Sequence, residues 1–406
     1  MVEPIGVYIS VPFCKAKCTF CNFASGVFAA DRMQHYVNRI CAEIRMAQAR
    51  AEKLGASLPQ SVDSIYFGGG TPSLLAAQQF RQIFEQMGDE FEIAGNAEIT
   101  LECAPGQLSD ETLAELLRQG MNRISFGVQS FVDQETAAVG RLHTRQQCEA
   151  ELARVREAGI HETNVDLIAG LPHQTEQSWR YSVEQAIASG APHVSVYMLE
   201  VDEESRLGRE MLEKGTRYHA SAVPAEDDTA DWYQQACTML DEAGLHQYEI
   251  SNFARRGHSS RHNLKYWRRQ PYLGFGLDAH SMLPAGAGAV RFANTDDLDI
   301  YLGNTAAEDP FGLKPRNADA PEADIIGRDE AFEESLFLGL RLNDGVSLSD
   351  LRGQFGEAML MDAMPALLEV RDAGLLELNS DQMRLTAHGR LVSNEVFSRL
   401  LVSSAA

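Results

Sequence analysis

The chain has 406 residues, 44% hydrophobic and 23% charged, with a net charge of −23. That length suits one large domain and a small one, and the negative charge excludes nucleic acid as a general partner because it repels phosphate backbones. No segment approaches the roughly 20 uninterrupted apolar residues of a membrane-spanning helix, and the opening Met-Val-Glu-Pro-Ile-Gly lacks the features of a signal peptide, so a cytoplasmic location is expected.

In chain order, short apolar runs alternate with longer amphipathic ones. Strands are expected over 6–11, 64–67, 99–103, 123–128, 164–168 and 193–198, with helices over 32–51, 75–87, 110–119, 144–158 and 175–189 between them. Ser109 supplies an N-cap for the third helix, and Gly159 a stop for the fourth. Six strand–helix units in a row call for a parallel sheet with right-handed crossovers, closing as a partial (β/α)6 barrel whose site lies at the carboxyl ends of the strands. The core is expected over 1–215, an extension of mixed loops and helices over 216–290, and a linker over 291–325, where small and polar residues dominate. Helices over 329–342 and 359–373, a hairpin from 375 to 386 and a last helix over 387–401 suggest a winged-helix-like α+β domain over 326–406. No internal repeat is present.

Three of the seven cysteines lie within eight residues, as Cys14-x3-Cys18-x2-Cys21, directly after the first strand. The spacing suits a reduced compartment and metal ligation better than a disulfide framework. Three thiolates in one loop can hold three irons of a cubane and leave the fourth open. A zinc site is the alternative, although it would want a fourth Cys or His nearby. Gly68-Gly69-Gly70-Thr71-Pro72 follows the second strand at the same end of the barrel, where glycines let a ligand meet the backbone closely. Other strand ends deliver Glu102, Gln129 and Asp166, with Arg141 in a following loop, and together they read as a site. Cys41, Cys148 and Cys237 fall in amphipathic helices and Cys103 alternates with Glu102, so all four read as structural.

On these residues the chain resembles radical S-adenosylmethionine (SAM) enzymes, and within them the family of oxygen-independent coproporphyrinogen III oxidase. The resemblance runs from Gly6 into the C-terminal domain. It implies a [4Fe–4S] cluster on Cys14, Cys18 and Cys21, SAM on the open iron, and reductive cleavage of SAM to methionine and a 5′-deoxyadenosyl radical. The implied SAM contacts are Tyr8, Phe20, Gly69, Gly70, Thr71, Glu102, Gln129, Arg141 and Asp166, with an adenine contact near Glu200.

Two features depart from the oxidase. Phe23 stands where the oxidase branch has a fourth cysteine, and the chain starts only a few residues before its first strand. A third points elsewhere: His262-Asn263-Leu264-Lys265-Tyr266-Trp267 is similar to the HNxxYW signature of HemW-type heme chaperones. That resemblance implies heme as a ligand and heme-accepting respiratory proteins as partners. His262 is then the expected heme ligand, with Tyr266 and Trp267 against the porphyrin and Arg268-Arg269 pairing with propionates. A structural loop around a satisfied histidine is the alternative. The oxidase, or another radical SAM enzyme, is the rival to the chaperone. A homodimer and a transient contact with membrane proteins stay open.

Overall fold

The computed structural model describes residues 3–200, 202–203, 205–286, 288–303 and 323–400. The chain begins with β1 (Ile5–Val11), the paired helices α1 (Asp31–Arg45) and α2 (Ala47–Lys53), β2 (Ser61–Gly69), α3 (Ala77–Glu90) and β3 (Glu92–Cys103). It continues through α4 (Asp110–Arg118), β4 (Arg123–Gln129), α5 (Asp133–Ala138), α6 (Arg145–Glu157), β5 (Glu162–Ala169), α7 (Glu176–Ala188) and β6 (His193–Met198). β1 to β6 pair in sequence order, all parallel, which is the expected partial barrel. Local chemistry sets the helix ends. Ser109 accepts from Thr112 N at 3.1 Å to start α4, Thr144 and Gln147 form a capping box on α6, and Gly159 at φ +95° ends it. The expected helix over 32–51 divides at Met46. Its buried stripe of Tyr36, Ile40, Ile44, Ala47 and Ala51 runs across the break, so the periodicity reads as one helix.

The extension is more ordered than a mixture of loops and helices. α8 (Arg206–Leu212) still falls within the bounds expected for the core, and the extension holds α9 (Glu226–Glu242), β7 (His246–Glu249), β8 (Asn252–Ala254), α10 (Arg261–Trp267), β9 (Tyr272–Phe275) and β10 (His280–Ala285). β9 adds to β1 in parallel and β8 to β6 antiparallel, so the sheet continues past both edges of the barrel to twelve strands among the described residues. Such additions cover edges that would otherwise be open to other chains. The linker expected over 291–325 needs correction at both ends. β11 (Gly288–Ala293), α11 (Leu298–Gly303) and β12 (Asp324–Ile326) occupy them, β11 pairing with β10 and β12. These strands are too short to stand out among small residues; the rest of that stretch, 304–322, lies outside the described residues.

The C-terminal part consists of α12 (Arg328–Gly339), β13 (Val346–Ser347), α13 (Leu348–Phe355), α14 (Glu357–Asp372), β14 (Leu376–Leu378), β15 (Gln382–Leu385), α15 (Ala387–Leu391) and α16 (Ser393–Leu400). Its three strands form a small antiparallel sheet beside the helices. It is held to the barrel side by Glu334, which bridges Arg269 and Arg291 at 2.8 Å each, and by Arg341 stacked 4.4 Å over the Trp267 ring. Among the described residues no helix is long and apolar enough to cross a membrane.

Candidate functional site

The cysteine loop leaves the carboxyl end of β1 and is pinned at its base, where Gly26 N donates to Pro12 O and Cys14 N to Gly26 O, each at 2.9 Å. Further along, Cys21 N donates to Cys18 O at 3.3 Å and Thr19 N to Val139 O at 3.1 Å. All seven cysteines are free thiols. Cys18 is buried, and Cys14 and Cys21 are partly exposed. Burial pushes the thiols of Cys14 and Cys21 above the ordinary range, so metal binding there must displace protons.

The turn after β2 is built to meet this loop. Gly69 sits at φ +101°, a conformation glycine tolerates. Gly70 N donates to Val11 O and Thr71 N to Phe13 O, both at 2.8 Å. A Cβ at Gly70 would lie 2.8 Å from Pro12 C and Val11 O and 2.9 Å from Phe13 O, so only glycine allows this approach. The third glycine of the sequence run is therefore a packing requirement.

Behind the turn, the strand ends line a cavity of about 360 Å³ that also includes all three cysteines and Phe20. Glu102 accepts from Tyr66 OH at 2.9 Å and Gly69 N at 3.1 Å. Burial pushes its carboxyl up to about 7, against the Tyr66 bond and with help from the nearby Asp166 charge. Asp166 accepts from Asn164 Nδ2 at 2.6 Å and Ser125 Oγ at 3.1 Å, and burial raises its carboxyl too. Gln129 projects from the end of β4, where the register with β5 slips and the residue adopts φ +68°. Positive φ on a non-glycine residue at a cavity marks backbone strain of the kind that accompanies function. Arg141 reaches back to the Gly127 carbonyl and places Nη1 3.5 Å from Cys18 Sγ.

The cavity therefore gathers Phe20, Gly69, Gly70, Thr71, Glu102, Gln129, Arg141 and Asp166 beside the cysteines, and Glu200 stands at its wall. Tyr8 lies next to them, with its hydroxyl against the Gly68-Gly69 turn. It lines a second cavity, of about 380 Å³, which shares Phe23, Ser25 and Gly69 with the first.

His262 is the residue expected to bind heme. It lies in α10, packed against β2, with its ring 5.1 Å from that of Tyr66 and 6.4 Å from that of Tyr8. Its Nδ1 is bonded to Ser64 Oγ and its Nε2 to Tyr266 OH, each at 3.0 Å. Glu98 accepts from the backbone N–H of Arg261 at 3.1 Å and of His262 at 2.9 Å, while Lys265 pairs with Asp63 at 2.8 Å. The imidazole is buried, and that burial lowers its pKa to about 3. With both nitrogens engaged the imidazole braces the fold in this arrangement, which is the structural alternative to a heme ligand. Arg269, expected to face propionates, is committed to Glu334.

The sequence matches the Radical SAM superfamily over residues 8–186 and the HemN C-terminal domain over residues 326–392. It is 32% identical over 396 residues to the heme chaperone HemW of Bacillus subtilis, covering 97% of this chain and 98% of that one. The chain belongs to the HemW-type family of radical SAM proteins. HemW of Escherichia coli is 29% identical over 407 residues, with 98% and 99% of the two chains covered. A mouse protein named radical S-adenosyl methionine domain-containing protein 1, mitochondrial, is 31% identical, with 97% and 87% covered. Among solved structures, coproporphyrinogen III oxidase (HemN) of Escherichia coli superposes with a TM-score of 0.81 at 22% identity, covering 98% of this chain and 90% of that one. That likeness shows the shared fold.

A radical SAM protein of the HemW type implies SAM and a [4Fe–4S] cluster, and the residues present fit both. Three reduced cysteines face one cavity. For the zinc alternative, no three His, Cys, Asp or Glu side chains among the described residues gather closely enough to hold a single ion. The cavity offers Glu102 and Asp166 to cationic groups and Arg141 to a carboxylate. It also holds two buried polar atoms, Gln129 Oε1 and Arg141 Nε, that have no hydrogen-bond partner among the described residues, as a site for a polar ligand would.

Four residues of the site escaped the sequence reading. Tyr66 and Ser125 orient the two carboxylates, and Tyr197 and Met198 lie at the cavity wall, each about two-fifths exposed (42% and 41%). Tyr197 and Met198 end β6 just as Glu102 nears the end of β3, and that position was the available signal. Tyr66 and Ser125 carry none, being mid-strand polar residues whose partners lie on neighbouring strands.

Proposed function

We propose that the protein is a heme chaperone that carries a [4Fe–4S] cluster on Cys14, Cys18 and Cys21, binds SAM beside it, and passes heme to respiratory haemoproteins from the cytoplasm. The observation that carries this reading is the end-to-end similarity to proteins named heme chaperone HemW, at 32% identity over 97% of the chain. When bound, the cluster supplies a single electron at an iron with a position open to SAM. The chain's own residues do the rest. Gly69, Gly70 and Thr71 bring backbone to the methionine end, and Glu102, itself bonded to Gly69 N, offers a carboxylate to its ammonium group. Gln129 and Asp166 offer further polar partners in the cavity, and Arg141 holds positive charge next to the Cys18 sulfur at 3.5 Å. Phe20 contributes apolar surface at the loop.

The oxidase reading rests on the fold shared with coproporphyrinogen III oxidase. Phe23, exposed at the cavity mouth where that branch has a further cysteine, speaks against it. Anaerobic reconstitution followed by heme titration and product analysis with coproporphyrinogen III separates the two. The chaperone binds heme and yields no protoporphyrinogen IX from coproporphyrinogen III when reduced and given SAM. Robust conversion overturns the chaperone.

A further inference from the structure

The second cavity gives the cargo a place to sit. It opens beside the first, sharing Phe23, Ser25 and Gly69 with it, and its volume of about 380 Å³ falls in the range of small-molecule sites. Its walls carry the side chains of Tyr8, Phe23, Tyr266 and Tyr272, with Asp278 and His280 at the start of β10. Phe23 is 63% exposed, which leaves a large apolar ring uncovered beside other aromatic rings.

We infer that heme binds in this second cavity, stacked against its aromatic walls, with the imidazole of His280 as an axial ligand to its iron. The inference rests on the heme-chaperone reading above and adds the site and the ligand. Two side chains at the cavity can act together on an iron. His280 is more than half exposed, and its Nε2 lies 4.0 Å from Asp278 Oδ1. At that separation the pair is an ion-pair contact short of a hydrogen bond, and a small rotation of the imidazole would let Nε2–H donate to the carboxylate while Nδ1 turns to the iron, the usual arrangement behind a metal-bound histidine. Asp278 is held at φ +54°, in the left-handed region, immediately before the strand that carries His280. The remaining walls suit a flat apolar macrocycle, and the open side leaves propionates in water.

The same geometry explains HNxxYW without using its histidine as a ligand. His262 Nε2 is bonded to Tyr266 OH at 3.0 Å, and the Tyr266 ring meets that of Tyr272 edge-on at 4.6 Å between centroids. Tyr66, at 5.1 Å from His262, is also the donor to Glu102. The motif thus braces one wall of the cavity and lies one residue away from the carboxylate of the cluster site. Heme in this place would rest against the Phe23 face of the cysteine loop.

The test uses the full chain with its cluster reconstituted anaerobically, titrated with ferric heme. Absorbance gives the affinity. Electron paramagnetic resonance gives the ligand field of the ferric heme, because the oxidised [4Fe–4S] cluster is diamagnetic. His280→Ala should weaken heme binding at least tenfold and change the ferric heme signal, with iron–sulfur content unaltered. His280→Met should recover part of the affinity with a different ligand field. His246→Ala, an exposed histidine outside the cavity, should match the parent protein. A His280→Ala variant with the parent's affinity and heme signal would overturn this site while leaving the chaperone reading intact. A parent protein that binds no heme would overturn both.

Discussion

Glu102→Gln separates a charged ligand contact from a merely polar one, because the fold itself resists ionising this carboxyl. Burial is the leading cause of its rise to about 7; Tyr66 OH and Gly69 N–H stabilise the charged form, and the neighbouring Asp166 opposes it. If the ammonium group of SAM needs the ionised form, the apparent affinity falls by 1 + 10^(pKa − pH). That factor is roughly 11 at pH 6, roughly 2 at pH 7 and about 1.1 at pH 8. Binding of SAM to cluster-loaded protein, measured by equilibrium dialysis at fixed ionic strength, should therefore strengthen about tenfold from pH 6 to 8. Glu102→Gln should bind more weakly and lack that rise. Asp166 is also raised by burial, but it is retained in the variant, so the difference between the two profiles reports Glu102. Stability of the empty protein should run the other way. A carboxyl whose folded pKa lies above its unfolded value contributes stability at low pH that is lost as pH rises through the folded pKa. The thermal midpoint of the parent, relative to the glutamine variant, should therefore drop across about pH 5 to 8. Parallel SAM-binding profiles for the two proteins would refute the assignment of Glu102 as a charged contact.

Replacing Cys14, Cys18 or Cys21 by Ala should abolish cluster assembly, measured as iron and sulfide per chain. Replacing Cys41, Cys148 or Cys237, which pack in helices, should leave it, as should replacing Cys103, which lines the same cavity but donates from its Sγ to the Ala104 carbonyl at 3.3 Å. Gly70→Ala places a methyl 2.8 Å from the Val11 carbonyl oxygen and Pro12. It should cost about 1–3 kcal/mol in denaturant unfolding and loosen the cluster, because the strand ends cannot separate without moving the cysteine loop. His262→Ala removes two buried side-chain hydrogen bonds. It should destabilise the chain by about 2–4 kcal/mol yet leave the electron paramagnetic resonance signal of bound ferric heme unchanged, and a changed signal would restore it as the axial ligand.

The barrel was legible because its signals are local. Alternating strand and helix periods, the caps at Ser109 and Thr144 and the stop at Gly159 each reside in a few adjacent residues, and parallel pairing follows from the repetition. The cysteine spacing and the glycine run carried the cluster end of the site for the same reason. Contacts between distant segments were not legible. Ser64 and His262 are 198 residues apart and meet inside the barrel, so whether HNxxYW presents its histidine or consumes it depends on where α10 docks. The edge strands β9 to β12 are short and mixed in character, and only the exposed edge of β1 gives them a reason to exist. Sequence by itself determined the chemistry available, namely three thiolates, two carboxylates and an arginine at one end of a parallel sheet. Tertiary structure decided the surroundings and partners of the polar groups. Burial lifts Glu102 toward neutrality, satisfies both nitrogens of His262, ties Arg269 to Glu334, and leaves His280 at the mouth of a cavity beside the cluster loop.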